Sequence, residues 1–281
     1  MTRHRASYDD AGLLSDVLDL LSTVFPFFRE QEQAARRLGL RWESCSTPFV
    51  CRRQGRVVAH VGLLEMPLQM NGRRTTAGSV HGVATHPELR RRGYFRSIME
   101  ELLGWCDERY ETLQLCTDNP EYFESFGFRV VEEHHFVGAP SASSSSRRTV
   151  TLDDPALLRR LLALREPVSN RLGVLDRNVF LFNEARHSLV YCEELQTVLS
   201  CDVDAGRLVV WDVVAPELPS YSDLLGMVAH SFDTVEVHFA PDRLGTELEP
   251  VPDSRREDVL MVRGPYLPDG LPFKLPATAR C

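Results

Sequence analysis

Ser79–Leu103 reads SVHGVATHPELRRRGYFRSIMEELL, and its three parts decide how the chain is read. An apolar run stops at Thr85, a glycine sits among four arginines at Arg90–Arg96, and Ile98 and Leu102 then repeat at helical spacing. A strand entering a glycine loop and then a helix makes an anion site. The first helical turn has unpaired N–H groups and a partial positive charge. Gly93 lets the backbone turn and approach a ligand with no Cβ in the way. Arg90, Arg91, Arg92 and Arg96 add charge-assisted bonds to phosphate oxygens, so a pyrophosphate suits the loop. The plainer alternative is a solvated turn whose arginines pair with the protein's own carboxylates. The strand before the loop and the apolar helix after it favour the anion site.

The rest of the chain narrows the partners. Its 281 residues suit one large domain or two ordinary ones, and a net charge of -8 argues against a general nucleic-acid binder. Lys274 is the one lysine, so the positive charge is almost wholly guanidinium. The seven cysteines form no CxxC pair or Cys/His ligand spacing, so the expectation is reduced thiols and no metal. No signal-peptide core and no run of roughly 18 apolar residues is found, giving the expectation of a cytoplasmic protein with no membrane partner. Neither GxxxxGK[ST] nor a strand-bound GxGxxG occurs.

GAPSASSSSRR, Gly138–Arg148, reads as a linker, placing one domain over 1–140, the linker proper over 141–148 and a second domain over 149–281. In the first, DDAGLLSDVLDLLSTVF and FREQEQAARRLGL read as helices, the second stopped by Gly39. Gln-Gly and Asn-Gly then divide three apolar runs into an antiparallel meander ending in the motif. TLQLCT reads as a strand, PEYFESFGF as a short helix closed by Gly127, and RVVEEHHFV as one last strand. The expected fold class is α/β, with a mixed sheet whose parallel pair flanks a crossover helix. In the second, DPALLRRLLALREP is a helix, SLVYCEE and QTVLSCDVDAGRLVVWDVVA are strands, SYSDLLGMVAHSF is a helix capped by Ser220 or Ser222, and TVEVHFAPDRLG and DVLMVRG are strands.

The motif, followed at Leu113–Val131 by LQLCTDNPEYFESFGFRVV, resembles the acetyl-CoA site of the GNAT superfamily of N-acetyltransferases. The family loop [Q/R]-x-x-G-x-[G/A] is answered by Arg90-Arg91-Arg92-Gly93-Tyr94-Phe95, with Phe95 in place of the small last residue. A bulky residue there is familiar in the enhanced intracellular survival (Eis) branch. The resemblance implies acetyl-CoA as acyl donor. It assigns Val83, Ala84 and Thr85 to the pantetheine arm, the N–H groups of Arg91–Arg96 to the diphosphate, and Asp118 and Asn119 to the thiol end. It implies a GNAT fold for the first domain, and the similar element order makes the second a degenerate GNAT-like half. That half's loop VAPELPSYSDL has no arginine or glycine, so it is expected to wall the acceptor pocket rather than hold a second cofactor.

Transfer to an amine needs an oxyanion stabiliser, and the Val83 N–H fits by position. The family's helical Tyr falls at Phe123, with Tyr122 one place earlier and about 100° round a helix. Three readings stay open: Tyr122 delivers the proton, the thiolate leaves without a protein acid, or the domain binds acyl-CoA without turnover. His81 shares a strand face with Val83 and is a candidate base, with Glu65 a second and a structural histidine the alternative. His134 and His135 alternate across a strand, which speaks against a paired role. Cys116 lacks a companion to activate it as a nucleophile. The Eis resemblance adds Cys281, through a terminal carboxylate. The expected activity is N-acetylation of a primary amine, a small cationic molecule, by direct attack in a ternary complex. The rival readings are an acyl-CoA-binding sensor or interaction module, and an acetyltransferase acting on protein lysines or N-termini.

Overall fold

The computed structural model describes residues 4–141, 146–254, 257–268 and 270–281. Three helices come first, α1 (Leu13–Val24), α2 (Phe28–Leu38) and the single turn α3 (Trp42–Cys45). Leu13, Val17, Leu20 and Leu21 bury one face of α1, and Gly39, at φ 104°, ends α2 in the left-handed conformation glycine adopts freely. Strands β1 (Ser46–Arg53), β2 (Arg56–Met70) and β3 (Arg73–Thr85) follow as the expected meander. Its turns are Gln54-Gly55 and Asn71-Gly72, all four at positive φ, which is the hairpin geometry that matches strand twist. Helix α4 (Tyr94–Cys106) crosses over to β4 (Leu113–Thr117), and α5 (Glu121–Glu124) leads to β5 (Arg129–Val130) and β6 (His134–Gly138).

The second half contains β7 (Val150–Thr151), α6 (Pro155–Leu164), β8 (Leu172–Val174), α7 (Asn178–Asn183) and β9 (Val190–Cys192). It continues with β10 (Thr197–Asp204), β11 (Arg207–Val214), α8 (Tyr221–Gly226), β12 (Thr234–Val237), β13 (Glu249–Pro252) and β14 (Val259–Arg263). Two seven-stranded mixed sheets result. One runs β1-β2-β3-β4-β14-β5 with β8 on β2, the other β13-β6-β12-β11-β10-β9-β7. Each has an antiparallel meander, then one parallel pair: β3 with β4, and β11 with β12. The two sheets therefore share one strand pattern.

The sheets exchange strands. Beside the parallel pair of the first sheet lies β14, from the far end of the chain; beside that of the second lies β6. Pairing thus crosses the expected boundary at 141–148 in both directions, and residues 142–145 of that segment lie outside the described residues. RVVEEHHFV is consequently two strands in different sheets. It breaks at Val131–Glu133, where the buried Glu133 carboxylate turns away to accept from the Arg280 guanidinium and the Leu275 N–H. A carboxylate so bonded inside the protein is held out of a regular ladder. The SYSDLLGMVAHSF helix is only one and a half turns, α8, with Ser220 as its cap.

The tail after β14 binds the halves together. Phe273, Leu275 and Ala279 are buried against Leu64, Met66 and Leu68 of β2. Asn183 on α7 donates to the carbonyls of Ala277 and Arg280, which leads Cys281 into the first sheet.

Candidate functional site

The β3–β4 pair is joined only at Gly78–Leu113 and Ser79–Gln114; beyond, the strands part. The cause lies in β3. Its register with β2 slips between His60 and Gly62, and Gly82 takes φ +56°, so β3 bulges as it passes His81–Val83. The His60 Nδ1–H donates to the Gly82 carbonyl at 2.7 Å and fixes the bulge. A cleft opens between Val83–Thr85 and the end of β4.

Cys281 forms the floor of that cleft. Its backbone oxygen accepts from the Cys116 N–H at 3.0 Å, and its thiol meets the Ser79 hydroxyl at 2.9 Å. Burial pushes the Cys281 thiol up to about 12 and raises that of Cys116. Both thiols stay protonated and are poor nucleophiles.

At the open end stands the arginine loop. Arg91 and Gly93 have φ of +63° and +84°, and Gly93 caps α4 with no side-chain bond. Among the described residues, the N–H groups of Arg91–Arg96 have no backbone acceptor, the first being that of Ser97 to Gly93 O. A Cβ built on Gly93 would meet nothing within 4 Å, so the space over the helix end is open. Arg90, Arg91, Arg92 and Arg96 are exposed around it. Such donors, charge and room fit a diphosphate. Helix α8 occupies the same place in the second sheet but is closed to an anion. Ser220 Oγ already accepts from the Asp223 N–H, and Asp223 puts a carboxylate in its first turn.

Phe95, the departure from the loop pattern, has a structural partner. Its ring stands edge-on to Phe123 at 5.6 Å and Phe126 at 5.5 Å. Phe123 is 4% exposed, and Tyr122 faces outward at 59%. The two departures from the family pattern thus pack on each other.

His81 is 4% exposed, its Nε2 lies 2.9 Å from Ser46 Oγ, and its ring packs edge-on to Trp42. Burial, and then the nearby His60, hold it near a pKa of about 3; burial holds His60 near about 4. Both rings are neutral. Gly62 makes room for this: a Cβ there would sit 2.5 Å from His81 Nε2.

His81, Gly82 and Cys281 also line a cavity of about 160 Å³ on the other side of the bulge. Its remaining wall is mostly aromatic and aliphatic, with Phe25, Phe28, Trp42, Val179 and Phe182, and takes in Asn178 and Arg280 as well. None of these was singled out in the sequence. The Asp176 carboxylate that accepts from the Val179 N–H and starts α7 was the available signal, with the clusters FPFF and FLF.

The other expected residues are dispersed. Glu65 pairs with Gly78 at the closed end of the β3–β4 pair, and its carboxylate accepts from the Tyr110 hydroxyl at 3.1 Å. Asp118 is engaged by the Asp258 N–H, while Asn119 donates its N–H to Thr117. His134 and His135 lie on β6 in the second sheet, where His135 stacks on His238. Val83, Ala84, Thr85 and Cys281 lie along the parting of β3 from β4, with the arginine loop beyond, while His81 packs on Trp42 and lines the cavity.

A parallel pair parted by a bulge thus runs up to an uncapped helix start that can take an anion. Residues 10–131 match the model of the GNAT acetyltransferase domain. The match takes in the elements from α1 to β5. No curated protein matches the chain in sequence. The fold is similar to that of a conserved protein from Enterococcus faecalis V583 at TM-score 0.61 and 12% identity, covering 93% of this chain and 71% of that one. It is similar also to a GCN5-related N-acetyltransferase from Kribbella flavida (TM-score 0.57, 16% identity, 89% and 68%). Eis1 from Mycobacterium abscessus follows at TM-score 0.54 and 16% identity, covering 84% and 70%. At these identities the likeness is one of fold, and it spans both sheets. No described helix is long and apolar enough to cross a membrane.

Proposed function

We propose that the chain transfers an acetyl group from acetyl-CoA to the primary amine of a small molecule, by direct attack with both substrates bound. The observation that carries this is the cleft itself. The parted strands run from the free N–H groups of α4 to a bulge that abuts a mostly apolar cavity.

Acetyl-CoA supplies an activated thioester. The N–H groups of Arg91–Arg96 hold the diphosphate, with Arg90, Arg91, Arg92 and Arg96 screening its charge. Val83, Ala84 and Thr85 offer strand-like backbone groups to the pantetheine arm, and Asp118 and Asn119 border the cleft beyond β4. Ser79 and the Cys281 main chain limit how deep the arm reaches. The Val83 N–H, at the bulge, takes the negative charge developing on the carbonyl oxygen, where a fixed dipole out of bulk water is most effective.

His81 receives the amine proton. With its Nε2–H donated to Ser46 Oγ, its Nδ1 presents a lone pair and has no hydrogen bond among the described residues. Its low pKa makes it a weak base but keeps it unprotonated at any working pH, and the nitrogen it must deprotonate grows acidic as the new bond forms. The protonated thiols of Cys45 (about 12), Cys116 and Cys281 give no covalent carrier, which favours direct attack. With Phe123 inward and Tyr122 outward, the departing thiolate takes its proton from solvent.

The test is release of free thiol from acetyl-CoA in the presence of a panel of primary amines. Turnover with His81→Gln reduced at least tenfold is expected. Tight binding of acetyl-CoA with no thiol release on any amine supports the acyl-CoA sensor instead.

A further inference from the structure

The cavity that abuts Gly82 differs from what a cationic acceptor requires. No Asp or Glu side chain lines it. Its one charged side chain, besides the neutral His81, is Arg280, itself positive and already held by Glu133 and Asp258. Phe28, Trp42 and Phe182 form a mutually packed wall, with ring centroids 5.6–5.7 Å apart. Phe25, 37% exposed, reaches from the α1–α2 loop to the same cavity and marks its mouth. Asn178 is the one amide side chain in the wall, so a polyamine's second ammonium group would find no Asp or Glu side chain to pair with in a mostly apolar site.

Size sets the other limit. An apolar cavity of about 150 Å³ in another protein is known to stay dry and to take up benzene. The space here is about 160 Å³.

On this ground, and resting on the acetyltransferase reading above, the geometry points to a monoamine acceptor whose body is one apolar ring or a branched alkyl group of similar size. The body fills the space between Trp42, Phe182 and Val179, and the amine lies at the Gly82–His81 end, beside Val83. Specificity is set by the aromatic wall and by α7, from the second half of the chain, rather than by the strands of the catalytic sheet. The net negative charge of the whole protein does not select the acceptor; the local wall does.

Two readouts test this. First, kcat/KM by thiol release is compared for 2-phenylethylamine, n-alkylamines, butane-1,4-diamine and spermidine. The ring amine is expected to exceed both polyamines at least tenfold. Among n-alkylamines the value should rise about fourfold per methylene, as burial of apolar surface dictates, until the cavity is full. Phe182→Ala should lower 2-phenylethylamine at least fivefold and favour tryptamine in its place, while Phe182→Leu keeps the single-ring preference. Secondly, calorimetry without any acyl donor should detect toluene or 2-phenylethanol binding, weakened by Phe182→Ala. Turnover of polyamines in preference to the ring amine overturns the inference and leaves the acetyltransferase reading standing. Binding of toluene without thiol release from any amine upholds the apolar pocket and sinks the acetyltransferase reading instead. Absence of toluene binding in the wild-type protein overturns the inference by itself.

Discussion

Gly62→Ala probes the packing that holds His81 in place. The added methyl carbon would sit 2.5 Å from Nε2, 2.6 Å from Cε1 and 3.1 Å from Cδ2 of the imidazole, where ordinary contact begins at 3.4 Å. The ring must therefore move by about 1 Å, toward the cavity it lines and away from Ser46 and Trp42, which hold it at 4% exposure. Overpacking of this kind costs about 1–3 kcal/mol. Losing the Ser46 hydrogen bond adds about 1 kcal/mol. Against this, Gly→Ala in a strand gains about 0.5–1 kcal/mol from the unfolded chain, since Gly62 is not at positive φ. A net loss of about 1–3 kcal/mol is expected by urea unfolding. Because the displaced ring lines the acceptor cavity, KM for the amine should rise several-fold and kcat fall, while acetyl-CoA affinity by calorimetry stays within twofold. A variant as stable as wild type with unchanged amine kinetics would refute the placement of His81.

Three further outcomes follow from the same geometry. Arg91→Ala combined with Arg92→Ala removes two exposed cations from the α4 loop, so acetyl-CoA should bind about 5–30-fold more weakly with a flatter salt dependence, and melting should be unchanged. Tyr122→Phe should retain at least half of kcat, since the hydroxyl is outward; a drop beyond tenfold would put it at the departing sulfur. Stability should fall on acidification below pH 6.5. His60 and His81 have folded pKa values of about 4 and 3, below the unfolded value near 6.5, so in that window the unfolded state binds the extra protons. Each contributes a loss of about 1.4 kcal/mol between pH 7.5 and 5.5, and His60→Gln should remove part of that slope in denaturant titrations.

The catalytic sheet was legible because its signals are local. Gln54-Gly55 and Asn71-Gly72 specify hairpins by themselves, and Gly93 after an apolar run specifies a strand, loop and helix. Strand exchange was not legible. Whether β14 lies beside β4 depends on partners over a hundred residues apart, and Val259–Arg263 looks the same in either sheet. RVVEEHHFV read as one strand because its composition is uniform; the break at Glu133 depends on Arg280 and the Leu275 N–H, far along the chain. The arginine loop and Val83–Thr85 were singled out by motif. The cavity wall was missed because α7 is only six residues of mostly apolar sequence, without a periodic face, and because nothing local sets Trp42 and Phe28 apart from other buried aromatics. His81 was named from strand alternation with Val83, but the bulge at Gly82 changes that alternation, and it is the bulge that parts the strands.

A crystal structure of the chain soaked with acetyl-CoA tests the central claim most directly. The diphosphate oxygens should lie about 2.7–3.2 Å from main-chain nitrogens between Arg91 and Arg96, with the thioester carbonyl beside the Val83 nitrogen. Nucleotide density on any other surface, or a diphosphate bound away from the start of α4, would contradict it.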